Sequence, residues 1–292
     1  MKLAIVGFGL IGSSLARAAQ NAYGESLTVI AVDQSQDVLT YAQSAGLCQQ
    51  GLNSISDLPK DCDWIILAAP VATNLDLLGE LIAHVGPQTI LSDAGSTKAA
   101  IVAALNEHHP DFDRFIPAHP MAGREVSGPE HGLADLFENK LLILTPAQAT
   151  SESCIQAAED FYQKLRMRTL RIEDAKEHDR LMGYASHLPH LLAFAFVNLA
   201  AQGNNGSTDY QDLTGGGYRD FTRIAGSDPI MWRDIFLSNK DNIVAQLDTF
   251  SSILSTYREA IISGDDDRLV TLMSAAQTER LRLNKVLKGQ DK

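Results

Sequence analysis

Residues 2–33 read Lys2-Leu3-Ala4-Ile5-Val6, then Gly7-Phe8-Gly9-Leu10-Ile11-Gly12, then a run to Ala22, then Leu27-Thr28-Val29-Ile30-Ala31-Val32-Asp33. The pattern is strand, glycine turn, helix, strand, acid. Glycines at this spacing arise by chance in many chains; the strand before and the helix after give the spacing meaning. Gly7 lets the chain turn off the strand. Gly9 has no side chain to hold off a pyrophosphate, and Gly12 lets the helix sit close to the sheet. The helix N-terminus, with its free N–H groups and positive dipole end, then faces the phosphates. Without a ligand the same stretch is only a tight turn between strand and helix.

Asp33 follows Gly12 by 21 positions, close to the ~20 expected of a carboxylate that binds a ribose 2′-hydroxyl. A carboxylate there repels a 2′-phosphate, and Gln34 and Ser35 supply no cation to hold one. The expected cofactor is therefore NAD, held by Gly7, Gly9, Leu10, Ile11, Gly12 and Asp33.

The rest of the first half continues the alternation. Strands are expected at residues 47–51, 64–68, 89–92, 115–118, 141–144 and 168–172. Helices are expected at 36–45, 73–84 and 152–165. Short alternating strands and helices imply a Rossmann-type, doubly wound parallel sheet, with ligands beyond the carboxyl ends of the strands. Three segments should meet there: the glycine turn, Ala68-Ala69-Pro70 and Asp93-Ala94-Gly95-Ser96. Ala69 and Pro70 join the cofactor set. Ser96 or Thr97 reads either as a helix N-cap or as a hydroxyl at the ligand edge. His119, in His119-Pro120-Met121-Ala122-Gly123-Arg124-Glu125, ends a strand at that edge. Imidazole suits proton transfer near neutral pH, so His119 is a candidate base. His84, His108, His109, His131 and His178 are read as ordinary structural histidines.

After Glu173 no clear strand follows. The expected organisation is a nucleotide-binding domain over residues 1–172 and an all-helical domain over 173–292. In Tyr184-Ala185-Ser186-His187-Leu188-Pro189-His190, Ser186 and His190 are four apart and share a helix face. Pro189 either bends that helix or begins a new one. His187 and His190 lack accompanying carboxylates or cysteines, so no metal site is expected. Gly215-Gly216-Gly217-Tyr218-Arg219-Asp220-Phe221-Thr222-Arg223 reads as a linker or as a loop presenting Arg223 to a carboxylate. Asp228-Pro229 then starts a long helix in which Phe236, Ile243, Leu247, Phe250, Leu254, Tyr257 and Ile261 form a heptad-like seam. Gly264 closes it, and a last helix runs over 266–287 with Leu269, Leu272, Ala276, Leu283 and Leu287. The seam packs within the chain or against a second copy.

Composition bounds the function. The 292 residues are 45% hydrophobic and 21% charged, as in an ordinary globular protein. A formal net charge of −12 without a basic block argues against nucleic acid and anionic membranes. No apolar run approaches the ~20 residues that span a bilayer. Cys48, Cys62 and Cys154 are scattered, as expected in a reducing compartment. A cytoplasmic protein is expected.

With these motifs together, the chain resembles the prephenate/arogenate dehydrogenase family of tyrosine biosynthesis. The resemblance rests on the glycine turn, Asp93 to Lys98, His119 to Gly123, Ser186 to His190, and Gly215 to Arg223. It implies NAD-dependent oxidative decarboxylation of prephenate to 4-hydroxyphenylpyruvate, with arogenate as the alternative or additional substrate. It implies that His119 takes the proton of the C4 hydroxyl while Ser96 hydrogen-bonds that hydroxyl and orients His119. It further implies that Arg223 binds the side-chain carboxylate and that Ser186 and His190 help shape and polarise the pocket. Arg219 and Asp220 fall where loop residues reach a neighbouring subunit, and a homodimer through the helical half is implied. Arg124 stands where relatives carry a small hydroxylated residue, and is a second candidate cation for the anionic substrate. No appended regulatory or mutase domain is expected. The competing readings are a β-hydroxyacid or imine reductase and a non-catalytic NAD-sensing dimer.

Overall fold

A computed structural model describes residues 1–203 and 210–290. The first half folds as alternating elements: β1 Lys2–Val6, α1 Leu10–Tyr23, β2 Thr28–Val32, α2 Gln36–Ser44, β3 Gln50–Leu52, β4 Trp64–Leu67, α3 Val71–His84, β5 Ile90–Asp93, α4 Ala99–His108 and β6 Phe115–Ile116. The six strands pair in parallel in the order β3-β2-β1-β4-β5-β6. Side chains of a strand alternate between faces, and both faces are covered. Leu3, Ile5, Trp64 and Ile66 enter one core; Ala4, Val6, Ile65 and Leu67 enter the other. This is why the strands read as continuous apolar runs.

The strand order reverses between β1 and β4, where such sheets open their ligand crevice. The glycine turn and the β4–α3 turn abut there. Gly7 has φ +88°, and a Cβ on it would lie 2.5 Å from the Ala69 amide nitrogen. The β5 turn joins them, since the Ala94 N–H donates to the Leu67 carbonyl at 2.8 Å. The three predicted segments thus converge. At Gly12 helix α1 comes so close to β1 that a Cβ would lie 3.0 Å from Ile5 Cγ2.

The expected single sheet is in fact two. Proline has no N–H to continue the ladder, and at Pro117 the chain leaves the parallel sheet. β7 Ala118–Pro120 pairs antiparallel with β8 Leu141–Leu144, which pairs in parallel with β9 Arg168–Arg171. His119 therefore sits in the middle of a short strand, opposite Ile143. Between β8 and β9 lies α5 Glu152–Lys164, capped by the Ser151 hydroxyl, which accepts from the Cys154 N–H at 3.3 Å.

The helical half starts with α6 Ala175–Met182, passes through a π-turn at Gly183–His187, and continues as α7 Leu188–Gln202. Pro189 lies in the first turn of α7, so the first-turn reading holds and the π-turn takes up the irregularity. The expected loop before Arg223 is instead a short helix, α8 Gly216–Thr222, ending in a 3₁₀ turn at Arg223–Gly226. The expected long helix after Asp228 is two helices, α9 Pro229–Ser238 and α10 Lys240–Ser263. Asn239 breaks them: its side chain donates to the Asp179 carbonyl at 2.7 Å, and its Nδ2 lies 2.9 Å from His187 Nδ1. The chain closes with α11 Asp266–Gln290.

Two compact units emerge, residues 1–242 and 243–292. In the second, Gly264 takes φ +65° between α10 and α11, and Arg268 pairs with Glu259. Of the predicted seam, Ile243 is buried while Leu254 and Ile261 are exposed, together with Ile262, Val270 and Met273. The Leu287 side chain lies outside the described residues. Among the described residues no helix is long and apolar enough to cross a membrane.

Candidate active site

His119 is 7% exposed. Its Nδ1 lies 3.0 Å from Nε2 of His178, with the rings edge to face. Nδ1 of His178 lies 2.7 Å from Oδ1 of Asp179. The same carboxylate accepts the backbone N–H groups of Lys98 at 2.7 Å and Ala99 at 2.9 Å. Neither Ser96 nor Thr97 caps α4 as the local sequence suggested. Asp179 caps it from α6, which joins the helical half to the loop after β5.

A second carboxylate sets the position of β7. Asp93 accepts the Gly95 N–H at 2.8 Å and the Ala118 N–H at 3.1 Å, and pairs with the Lys98 ammonium. Lys98 is wholly buried, and burial lowers its pKa against the opposing pull of Asp93. The His119 pKa lies well below the usual imidazole value. Burial is the largest cause, followed by the charges of His178, Lys98 and His187. His119 is thus held neutral at pH 7, the form in which imidazole accepts a proton.

His187 and His190 face a shared aromatic. His190 stacks on Trp232 with centroids 3.7 Å apart, and His187 meets the same indole edge to face at 6.2 Å. His190 Nδ1 lies 2.9 Å from the Ser186 carbonyl, so the predicted pair, one residue in the π-turn and one on α7, is joined through backbone, not through the serine hydroxyl. Burial pulls the His187 pKa down to about 4. Burial also lowers that of His190, on which Glu125 and Arg223 act with opposite signs. The Arg223 guanidinium thus lowers the His190 pKa slightly, as the last of its causes. It is paired with Glu125 and largely exposed.

The remaining predicted residues are placed as follows. Ser96 is half-buried in the loop after β5. Among the described residues the His119 ring bonds His178 and not Ser96. Arg124 is exposed, with Nη1 3.4 Å from the His131 carbonyl. Arg219 is exposed and donates to the Thr214 carbonyl at 3.3 Å. Asp33 accepts the Phe8 N–H at 2.8 Å and the Ser35 N–H at 2.9 Å, which fixes the carboxylate beside the glycine turn. A Cβ on Gly9 would meet no atom within 4 Å. That open space at the N-terminus of α1 fits a pyrophosphate. A separate cleft of about 470 Å³, between α4 and the start of α6, includes none of the predicted residues.

Sequence reading missed His178, Asp179, Lys98, Asn239 and Trp232. His178 reads from sequence as an ordinary structural histidine. The usable signal was the adjacent His178-Asp179 pair, one step from a charged, polar helix face otherwise facing solvent.

Known proteins resemble the chain along most of its length. Residues 15–170 match the family described as "Prephenate dehydrogenase, nucleotide-binding domain", and residues 174–275 match "Prephenate dehydrogenase, dimerization domain". Cyclohexadienyl dehydrogenase of Zymomonas mobilis is 33% identical, covering 96% of this chain and 95% of its own. Prephenate dehydrogenase of Bacillus subtilis is 31% identical, covering 94% and 74%. The crystal structure of prephenate dehydrogenase from Aquifex aeolicus, in complex with hydroxyphenyl propionate and NAD+, superimposes with a TM-score of 0.87. It is 31% identical and covers 97% of this chain and 98% of its own.

Proposed function

The chain belongs to the prephenate dehydrogenase family, and from that premise we propose that it oxidises and decarboxylates prephenate in tyrosine biosynthesis, with His119 as the base. It is an NAD-dependent enzyme. NAD, held by the glycine turn and Asp33, would supply the acceptor for the hydride that leaves ring C4. His119 takes the proton from the C4 hydroxyl as the carbonyl forms. The C1 carboxylate then leaves as CO2, its bonding electrons enter the ring, and His119 returns the proton to the new phenol oxygen. The observation that carries this reading is a buried, neutral imidazole whose Nδ1 is already engaged.

The other roles follow from placement. Ser96 hydrogen-bonds the C4 hydroxyl. Arg223, beside His190, binds the side-chain carboxylate once it exchanges Glu125 for substrate. Ser186 and His190 shape the pocket, and Arg124 and Arg219 add positive charge at its rim. Gly7, Gly9, Leu10, Ile11, Gly12, Asp33, Ala69 and Pro70 hold the dinucleotide. The nucleotide-binding domain ends near Ile172, and the helical half forms a homodimer, which the exposed apolar residues of α10 and α11 support. The enzyme acts in the cytoplasm. A dual preference, for arogenate as well, is favoured by the similarity to a cyclohexadienyl dehydrogenase. Steady-state assays at the nicotinamide absorbance, with prephenate and arogenate and with NAD and NADP, test the proposal. Turnover of neither ring substrate would refute it.

A further inference from the structure

The geometry points to His178 and Asp179 as positioning residues that fix the tautomer of His119, so that its Nε2 alone presents a lone pair to the reacting hydroxyl. This rests on the reading of His119 as the base.

Ring nitrogens are told apart by their partners. Asp179 is a carboxylate and only accepts, so Nδ1 of His178 carries a hydrogen at the 2.7 Å contact. In its neutral form the ring then has a lone pair on Nε2. That atom faces Nδ1 of His119 at 3.0 Å. Two lone pairs do not bond, so His119 holds its hydrogen on Nδ1. Its Nε2 is left as the acceptor. Asp179 cannot turn away from this duty, because Oδ1 also accepts from Lys98 N and Oδ2 from Ala99 N. The orienting acid is thereby locked to the first turn of α4, in the loop that carries Ser96. The His178 side chain is wholly buried, so water does not compete for the contact. In a serine-protease triad a carboxylate fixes the tautomer of a histidine directly, and amide substitution there costs ~10⁴ in turnover through the wrong tautomer. Here a second imidazole is interposed.

Two variants separate positioning from bulk packing. In His178→Gln the side-chain carbonyl still accepts from Nδ1–H of His119; in His178→Leu nothing does. Nitrogen-15 NMR of the histidine rings at pH 7.5 should report the Nδ1–H form of His119 in the native protein and in His178→Gln. In His178→Leu it should report loss of that preference. The kcat should fall ~10²-fold or more in His178→Leu but less than ~10-fold in His178→Gln, with KM for prephenate within about threefold in both. A native His119 in the Nε2–H form overturns the inference, as do equal kcat losses in the two variants. If His178→Leu does not fold, the native and His178→Gln spectra still decide. If His119→Asn keeps full turnover, the assignment of the base fails, while the tautomer measurement stands separately.

Discussion

Gly9 and Gly12 lie three residues apart in the same turn, and the structure separates what each is for. A Cβ on Gly12 would sit 2.1 Å from the Gly7 carbonyl oxygen and 3.0 Å from Ile5 Cγ2. Carbon and oxygen need ~3.2 Å, so helix α1 has to back off by roughly 1 Å, at a cost near the top of the ~1–3 kcal/mol range for overpacking. Gly9 differs. It has φ −74° and ψ −152°, extended backbone with negative φ, and an added methyl meets nothing. Gly9→Ala loses unfolded-state entropy, a gain of ~0.4–1 kcal/mol. Alanine is a poorer N-cap than glycine, which offsets a similar amount. The melting temperature of the free protein should stay within ~3 °C. The methyl projects into the space proposed for the pyrophosphate, and the NAD dissociation constant should rise ~10²-fold, about 3 kcal/mol. Melting with and without NAD reads both effects. At NAD equal to 100 times the native dissociation constant, the native protein gains ~2.7 kcal/mol and Gly9→Ala only ~0.4 kcal/mol. Calorimetric titration gives the affinity directly. A Gly9→Ala protein that binds NAD as tightly as the native one would refute the placement of the cofactor.

His119→Asn should lower kcat by ~10²–10⁴ with little change in NAD affinity; unchanged turnover would remove the base. Because the native His119 pKa is depressed, the acid limb of the kcat–pH profile should lie below pH 6.5 and disappear in that variant. Arg223→Ala should raise KM for prephenate at least tenfold and leave NAD affinity alone; an equal loss of both would mark Arg223 as structural. His187 has a folded pKa of about 4 against 6.5 unfolded, so its contribution to stability is intact above pH 6.5 and lost as pH falls towards 4. The loss is ~3 kcal/mol over that window. Urea unfolding at pH 7 and pH 4 measures it, and a His187→Gln protein should show the smaller drop.

The parallel sheet was legible because its strands are apolar on both faces and its turn is built of glycines with separate duties. The expected convergence of the glycine turn, Ala69 and the Asp93 loop needed only strand order. What escaped was every partnership formed across distance. Pro117 gave notice that the ladder ends, but not that residues 118–120 join a second sheet. The apolar period across residues 236–247 continues through the break at Asn239, so periodicity alone could not find it. Local spacing offered Ser96 and Thr97 as caps for α4, whereas the cap comes from Asp179, 80 residues from Ala99. His178 looked unremarkable because the acid beside it in sequence does not reveal that its ring lies against His119.

The capping of α4 by Asp179 bears on how far the two halves of this enzyme are separable. A chimaera that grafted a foreign helical half after residue 174 would inherit a nucleotide-binding half whose fourth helix begins with two bare amides, and its proposed base, His119, would lose the imidazole at Nδ1. Only a donor bringing an acid and an imidazole to those positions would restore both. Swapping helical halves to change substrate choice therefore has to carry that pair along.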